Sequence, residues 1–309
     1  MATFTLEPIG GTSADHCKVY DNGNQQCHLM VSFDFVSLIG RPLYPDEIES
    51  IKLATYDAST FYDNLTLPTG MTSTQTQNQF DPHPDNTRGA DASPEATGQV
   101  FTKNLYVSCN SQVVGSQRLM AAVRVHDDEN PGQYIVYTTH MQLGDGTSFE
   151  SSVTVTPEPA WIVSASELTE IDRSAKKEAR NTTYGWPYIW ELPSPLDIRQ
   201  RAMKLDGSWN TSVEEHLFYR DRKDGGINEV HECSSTTKTD GYYHFSDGRS
   251  IEFHYTNNQF GAGWIYIKDA SLSSSLSTFD EQQEIRMLDN YGTYQTYTLD
   301  GDGSGITIR

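Results

Sequence analysis

Residues 19–35 read Val19-Tyr20-Asp21-Asn22-Gly23-Asn24-Gln25-Gln26-Cys27-His28-Leu29-Met30-Val31-Ser32-Phe33-Asp34-Phe35, and Gly40-Arg41-Pro42-Leu43 follows shortly after. A dipeptide that tolerates positive φ runs into apolar residues that largely alternate, and a second turn closes the run. That is the pattern of a half-buried strand in a β-sandwich. The stretch identifies a scaffold and names no chemistry.

Outward from it, runs rich in Val, Ile, Thr, Tyr and Phe recur between Gly, Asn, Asp and Pro clusters, while helical periodicity is scarce, so the expected fold is mainly β. Strands are expected at 3–8, 26–36, 51–56, 99–108, 117–126, 133–141 and 149–156, enough for one sandwich of about 155 residues. Pro45-Asp46-Glu47-Ile48-Glu49-Ser50 reads as a single helical turn, with Pro at its first position and carboxylates near the positive end of its dipole. Residues 71–98 hold almost no large apolar side chains. They are expected to form a mobile polar insertion, with Asp81 and His83 in solvent.

Thr156-Pro157-Glu158-Pro159-Ala160 ends the first unit, so the domains are expected at 1–157 and 201–309, with 158–200 between them. Within that link, Ser164 and Glu167 could cap a helix, although Ile162, Val163 and Thr169 suit a strand equally well. Tyr184-Gly185-Trp186-Pro187-Tyr188-Ile189-Trp190 reads as an aromatic plug between domains. From 201 onward, strands at 214–220, 228–234, 241–246, 250–256, 262–268, 284–288, 293–298 and 305–309 alternate with hairpin signals such as Asp240-Gly241 and Asp247-Gly248. They predict a second, smaller, aromatic-rich β-sandwich or barrel.

The 309 residues are 36 % hydrophobic and 21 % charged, with 17 Tyr, 12 Phe and 5 Trp. Only 22 Lys and Arg stand against 42 Asp and Glu, giving a net charge of −20, and acids exceed bases in both halves. Nucleic acid and anionic membrane surfaces are therefore disfavoured partners. The N-terminus shows neither a basic nor an apolar leader region, and no apolar run approaches the ~20 residues that span a bilayer. The expectation is a soluble chain, cytoplasmic when made and released by a dedicated secretion machine or by lysis. Four cysteines are too few to build a fold of this size on disulfides. Cys17 and Cys27 flank the Asn22-Gly23 turn, and a hairpin there would oppose them, either as a disulfide in an oxidising setting or as two half-buried thiols.

The Asn22-Gly23 turn, the strand after it, Gly40-Arg41-Pro42-Leu43 and the closing run Ser151-Ser152-Val153-Thr154-Val155-Thr156-Pro157 together resemble the bacterial immunoglobulin-like modules of invasin-type and intimin-type proteins. The resemblance spans residues 15–157. It implies a structural or recognition module and brings no catalytic residues with it.

Nine histidines are scattered, without the paired spacing of a helical zinc site. His244 and His254 could meet on adjacent strands, with His231 and Cys233 nearby. Asp300, Asp302 and Ser304, set among glycines in Asp300-Gly301-Asp302-Gly303-Ser304-Gly305, resemble the start of a calcium loop, against the plainer reading of a hairpin turn. No nucleophile elbow, phosphate loop or dinucleotide fingerprint is present. Tyr242, Tyr243, Phe245, Phe253, Tyr255, Phe260, Trp264 and Tyr266 crowd one stretch, and alternate members on a strand face opposite sides. Tyr243, Tyr255, Trp264 and Tyr266 are the candidate ligand-stacking residues.

The reading that follows is a non-enzymatic recognition protein of bacterial or phage type, adhesin-like, binding a glycan or cell-surface protein without an obligatory cofactor. Two others stand beside it: a pore-forming or insecticidal toxin, whose Ser/Thr-rich segments 71–79 and 271–278 would become amphipathic hairpins, and a glycan-active hydrolase built on a carboxylate pair. The oligomeric state is left open.

Overall fold

The computed structural model describes residues 2–56, 61–87, 100–144, 146, 148–171, 177–178, 183–213, 216–223, 227–233, 240–244, 250–254, 256–268, 279–280 and 282–309. Two compact units divide the chain, 1–161 and 162–309.

In the first unit one sheet runs in the order β1 (Thr3–Ile9), β3 (Cys27–Asp34), β6 (Phe101–Cys109), β5 (Met71–Thr74). The other runs β2 (His16–Tyr20), β11 (Val153–Glu158), β7 (Gln117–His126), β4 (Lys52–Thr55), with β8 (Tyr134–Thr138) also on β7. Strand β2 lies parallel to β11, while the other pairings are antiparallel. Two sheets packed in this way make a β-sandwich. A short ribbon of β9 (His140–Gln142) and β10 (Ser148–Glu150) completes the set.

Alternation explains the core. Leu119, Ala121, Val123 and Val125 of β7 point inward together with Val153 and Val155 of β11, and meet Phe4 and Leu6 of β1 and Leu29, Val31 and Phe33 of β3. Each such large side chain contributes about 1.5–3 kcal/mol by leaving water. Helix α1 (Val36–Ile39) ends on left-handed Gly40, and α2 (Pro45–Glu49) is the expected helical turn.

Three expectations change. The Asn22-Gly23 turn is not a hairpin. Gly23 has φ +76°, and Asn22 Oδ1 accepts the amides of Asn24 and Gln25 at 2.9 Å, so the chain crosses from one sheet to the other. The partner that wins β2 is the Val/Thr-rich β11. Cys17 and Cys27 still meet, from facing sheets, as buried free thiols, and hydrogen bonding to Cys17 together with burial holds the Cys27 thiol well above its usual range. Second, the polar insertion is ordered through residue 87: Met71–Thr74 joins β6, and His83 is buried, while residues 88–98 lie outside the described set. Third, Ser164 and Glu167 do cap a turn, with Glu167 Oε2 accepting the Ser164 amide at 2.8 Å, but only one short 3₁₀ turn follows before the chain becomes extended.

In the second unit the larger sheet runs β12 (Thr169–Ile171), β14 (Thr183–Glu191), β21 (Gln259–Lys268), β18 (Ile227–Cys233), β17 (His216–Lys223), β22 (Phe279–Asp280), with β13 (Lys177–Glu178) also on β14. A five-stranded sheet runs β16 (Ser208–Asn210), β15 (Ile198–Leu205), β23 (Gln282–Asp289), β24 (Tyr294–Asp302), β25 (Gly305–Ile308), and β19 (Asp240–His244) pairs β20 (Ser250–His254) separately. The stretch expected as a link at 158–200 thus supplies β14, the strand that bears the aromatic run. Among the described residues, no helix is long and apolar enough to cross a membrane.

Candidate functional site

Strands β14 and β21 pair over nine residues, with Tyr184 opposite Tyr266, Trp186 opposite Trp264, Tyr188 opposite Ala262 and Trp190 opposite Phe260. Side chains two apart share a face, so these residues form one cross-strand ladder of rings. The Trp186 and Trp264 centroids are 5.1 Å apart at 35°, and Trp190 and Phe260 lie 6.0 Å apart. At the Trp190 end the ladder is core: Tyr188, Trp190 and Phe260 are each 3 % exposed, and Phe260 stacks on Tyr297 of β24 at 5.5 Å. At the other end Tyr184, Trp186, Trp264 and Tyr266 are half-buried. The register continues from Tyr266 to Glu229 to Asp221, and from Trp264 to His231 to Tyr219.

Of the sequence-selected ligand residues, Trp264 and Tyr266 therefore share a face on one strand. Tyr243 lies opposite Ile251 on the separate β19–β20 pair, and Tyr255 lies outside the described residues. Across that pair His244 faces Ser250 and His254 faces Asp240, while His231 and Cys233 sit on β18 in the larger sheet, so the register does not oppose the two histidines. Asp302 Oδ1 accepts the amides of Ser304 (2.6 Å) and Gly305 (3.1 Å) and the Ser304 hydroxyl (2.5 Å). Asp300 Oδ2 accepts Gln282 Nε2 at 3.2 Å and lies 3.6 Å from Arg309. The three expected calcium ligands thus form and flank the β24–β25 turn, with protein donors already on both carboxylates.

A second polar cluster had no counterpart in the sequence reading. His83, Asp85 and Glu158 bring three potential metal-ligand atoms within 4.8 Å of one another. Lys18 Nζ, however, lies 2.7 Å from both Asp85 Oδ2 and Glu158 Oε1 and supplies the cation there. These contacts raise the lysine pKa and lower that of Asp85. The His83 Nδ1 atom accepts the Asp85 amide at 3.2 Å, which places the imidazole proton on Nε2, 3.2 Å from Glu158, and leaves no lone pair there for an ion. The cluster is a clamp that ties residues 81–87 to β2 and β11. Burial lowers the His83 pKa, against the opposing pull of Glu158 and Asp85. The available sign was Asp81-Pro82-His83-Pro84-Asp85, where two prolines restrict the backbone around the histidine.

No protein-family model and no curated protein matches this chain. Among solved structures, it is similar to the C-terminal domain of the Streptococcus pyogenes antigen I/II-family protein AspA, at 12 % identity and TM-score 0.26, covering 96 % of this chain and 97 % of that one. It is also similar to the E. coli chaperone DraB, at 8 % identity and TM-score 0.21, covering 97 % and 99 %. A third match is the sialic acid binding region of a Streptococcus sanguinis SK1 adhesin, at 10 % identity and TM-score 0.23, covering 95 % and 75 %. Scores of this size assign neither a family nor an activity.

Proposed function

We propose that this chain is a non-enzymatic recognition protein that holds a glycan, or a glycan-bearing cell-surface partner, against the half-buried end of the aromatic ladder. The observation that carries the reading is the Trp186–Trp264 pair, flanked by Tyr184 and Tyr266. A fully packed core would have buried all four rings as it buries Trp190 and Phe260, whereas these four keep surface in contact with solvent. A sugar ring offers C–H groups to an aromatic face, and the paired rings of β14 and β21 present one. Tyr243 and Tyr255 stay within the proposal on the strength of the sequence alone. The reading needs no cofactor.

Glycan-array and cell-surface binding by the full chain tests it. The expectation is at least one glycan or cell type bound by the native protein and lost with Trp264→Ala, while Tyr44→Ala, in the other unit and 47 % exposed, binds as the native chain does. Binding by none of the glycans or cells, or binding untouched by Trp264→Ala, would remove the proposal.

A further inference from the structure

The first unit carries a groove of about 270 Å³ at the lip of the β1–β3–β6 sheet. Its floor is the pair His28 and Tyr106, opposite each other on β3 and β6, with rings stacked at 4.6 Å and 22°, and His28 Nε2 is 3.0 Å from Asn104 Oδ1. Its wall is the segment around Gln77, Asn78 and Phe80. That wall is held in place. The Asn78 amide donates to Gln26 Oε1 at 2.8 Å, the Asn78 side-chain amide donates to the Asn24 carbonyl, and the Phe80 amide donates to Asn78 Oδ1 at 3.1 Å.

The groups left over decide what the groove can hold. Gln26, Gln77, Thr87 and Tyr106 all line it, and Gln26 Nε2, the Gln77 side-chain amide and the Thr87 and Tyr106 hydroxyls make no hydrogen bond among the described residues. Among the described residues, no Asp, Glu, Lys or Arg lines it. Four neutral donor and acceptor groups around stacked rings match a ligand with an apolar face and several hydroxyls, and a described lining without Lys or Arg, in a chain of net charge −20, disfavours an anion. The volume sits at the lower edge of the roughly 300–1,000 Å³ usual for small-ligand sites, which suits one ring and not a long chain. We infer that this groove is a second binding site, specific for a single uncharged, polyhydroxylated sugar ring. It goes beyond the reading above because it lies in the other unit and shares no residue with the aromatic ladder.

The test is saturation-transfer NMR on the full chain with the methyl glycosides of glucose, galactose, mannose and N-acetylglucosamine, each at about 10 mM, tenfold above the ~1 mM Kd expected of one small polar site. At least one should bind. Gln77→Ala and Tyr106→Phe each remove a group that holds nothing else in the described protein, so each should weaken binding about threefold, the factor one modest hydrogen bond supplies, without moving the melting temperature. Tyr44→Ala, exposed in the same unit and outside the groove, should leave this binding intact. Binding of none of the four glycosides, binding unaffected by both groove variants, or stronger binding of N-acetylneuraminate than of any of them would overturn the inference. Binding lost with Trp264→Ala but kept in the groove variants would also overturn it, while leaving the aromatic-ladder reading standing.

Discussion

The side-chain amide of Asn86 pairs with the backbone of Lys18 as a neighbouring strand would: its Oδ1 accepts the Lys18 N–H at 3.0 Å and its Nδ2 donates to the Lys18 carbonyl at 2.8 Å. One residue pair further, the Tyr20 N–H donates to Gln25 Oε1 at 2.7 Å, and Gln25 Nε2 donates to the Asp81 carbonyl at 3.1 Å. Strand β2 is the outer strand of its sheet, and an open edge invites pairing with another chain. Asn86→Ala should therefore cost about 1–3 kcal/mol and promote association between molecules. Urea unfolding and light scattering read both effects, and an unchanged midpoint would show that the pairing contributes nothing.

Acid should loosen the same clamp. Burial lowers the pKa of His83, so near pH 5–6.5 the folded chain binds fewer protons there than the unfolded chain does. The contribution is present above the unfolded value of about 6.5 and is lost as pH falls below it, ahead of the carboxylate range. The melting temperature should fall between about pH 7 and 5.5, and His83→Gln should flatten that part of the profile. A profile identical in the two proteins would contradict this account.

Arg41 and Glu47 make a two-pronged ion pair at 2.9 Å for each prong, with the Glu47 side chain fully enclosed. Glu47 also accepts the amides of Tyr44 and His126 at 2.7 Å. Burial pushes the Glu47 carboxyl up, but Arg41 and the two amides more than reverse it, and the net shift is downward. Arg41→Ala strands a buried carboxylate and should cost about 3–5 kcal/mol. Arg41→Lys should recover only part of that, because an ammonium cannot form the fork. Chemical denaturation of the two variants checks the order.

Gly305 has φ +151°, and a Cβ built on it strikes the Tyr188 hydroxyl, so β25 and β14 approach too closely there for any side chain. Gly305→Ala should destabilise the second unit by about 1–3 kcal/mol through strain and overpacking. Pairing it with Tyr188→Phe, which removes the struck atom, should restore part of the loss. Full additivity of the two would place the cost in the backbone alone.

Strand identity was legible wherever alternation met a turn signal. The runs at 26–36, 117–126 and 149–156 correspond to β3, β7 and β11, because one buried face imposes a period of two on the sequence. Pairing was less legible. The sequence shows Cys17 and Cys27 flanking Asn22-Gly23, but not that β11, more than a hundred residues away, competes for β2 and wins. The ordered segment 75–87 was missed because it gains order from side-chain amides and an ion pair, not from apolar burial, and composition carries no sign of such contacts. In the second unit, the spacing of Tyr184, Trp186, Tyr188 and Trp190 already had the period of a strand, and Pro187 in its midst hid it. Trp264 and Tyr266 were visible as strand neighbours, whereas their cross-strand partners depended on register.

The proposed contact surface is the half-buried end of the aromatic ladder, at Trp186 and Trp264. The most direct measurement is a titration of the bound glycan or cell-surface fragment against the native chain and Trp264→Ala, with circular dichroism confirming that both are folded. The account predicts at least a tenfold loss of affinity, about 1.4 kcal/mol or more, from removing that one ring. Equal affinities in two equally folded proteins would contradict it.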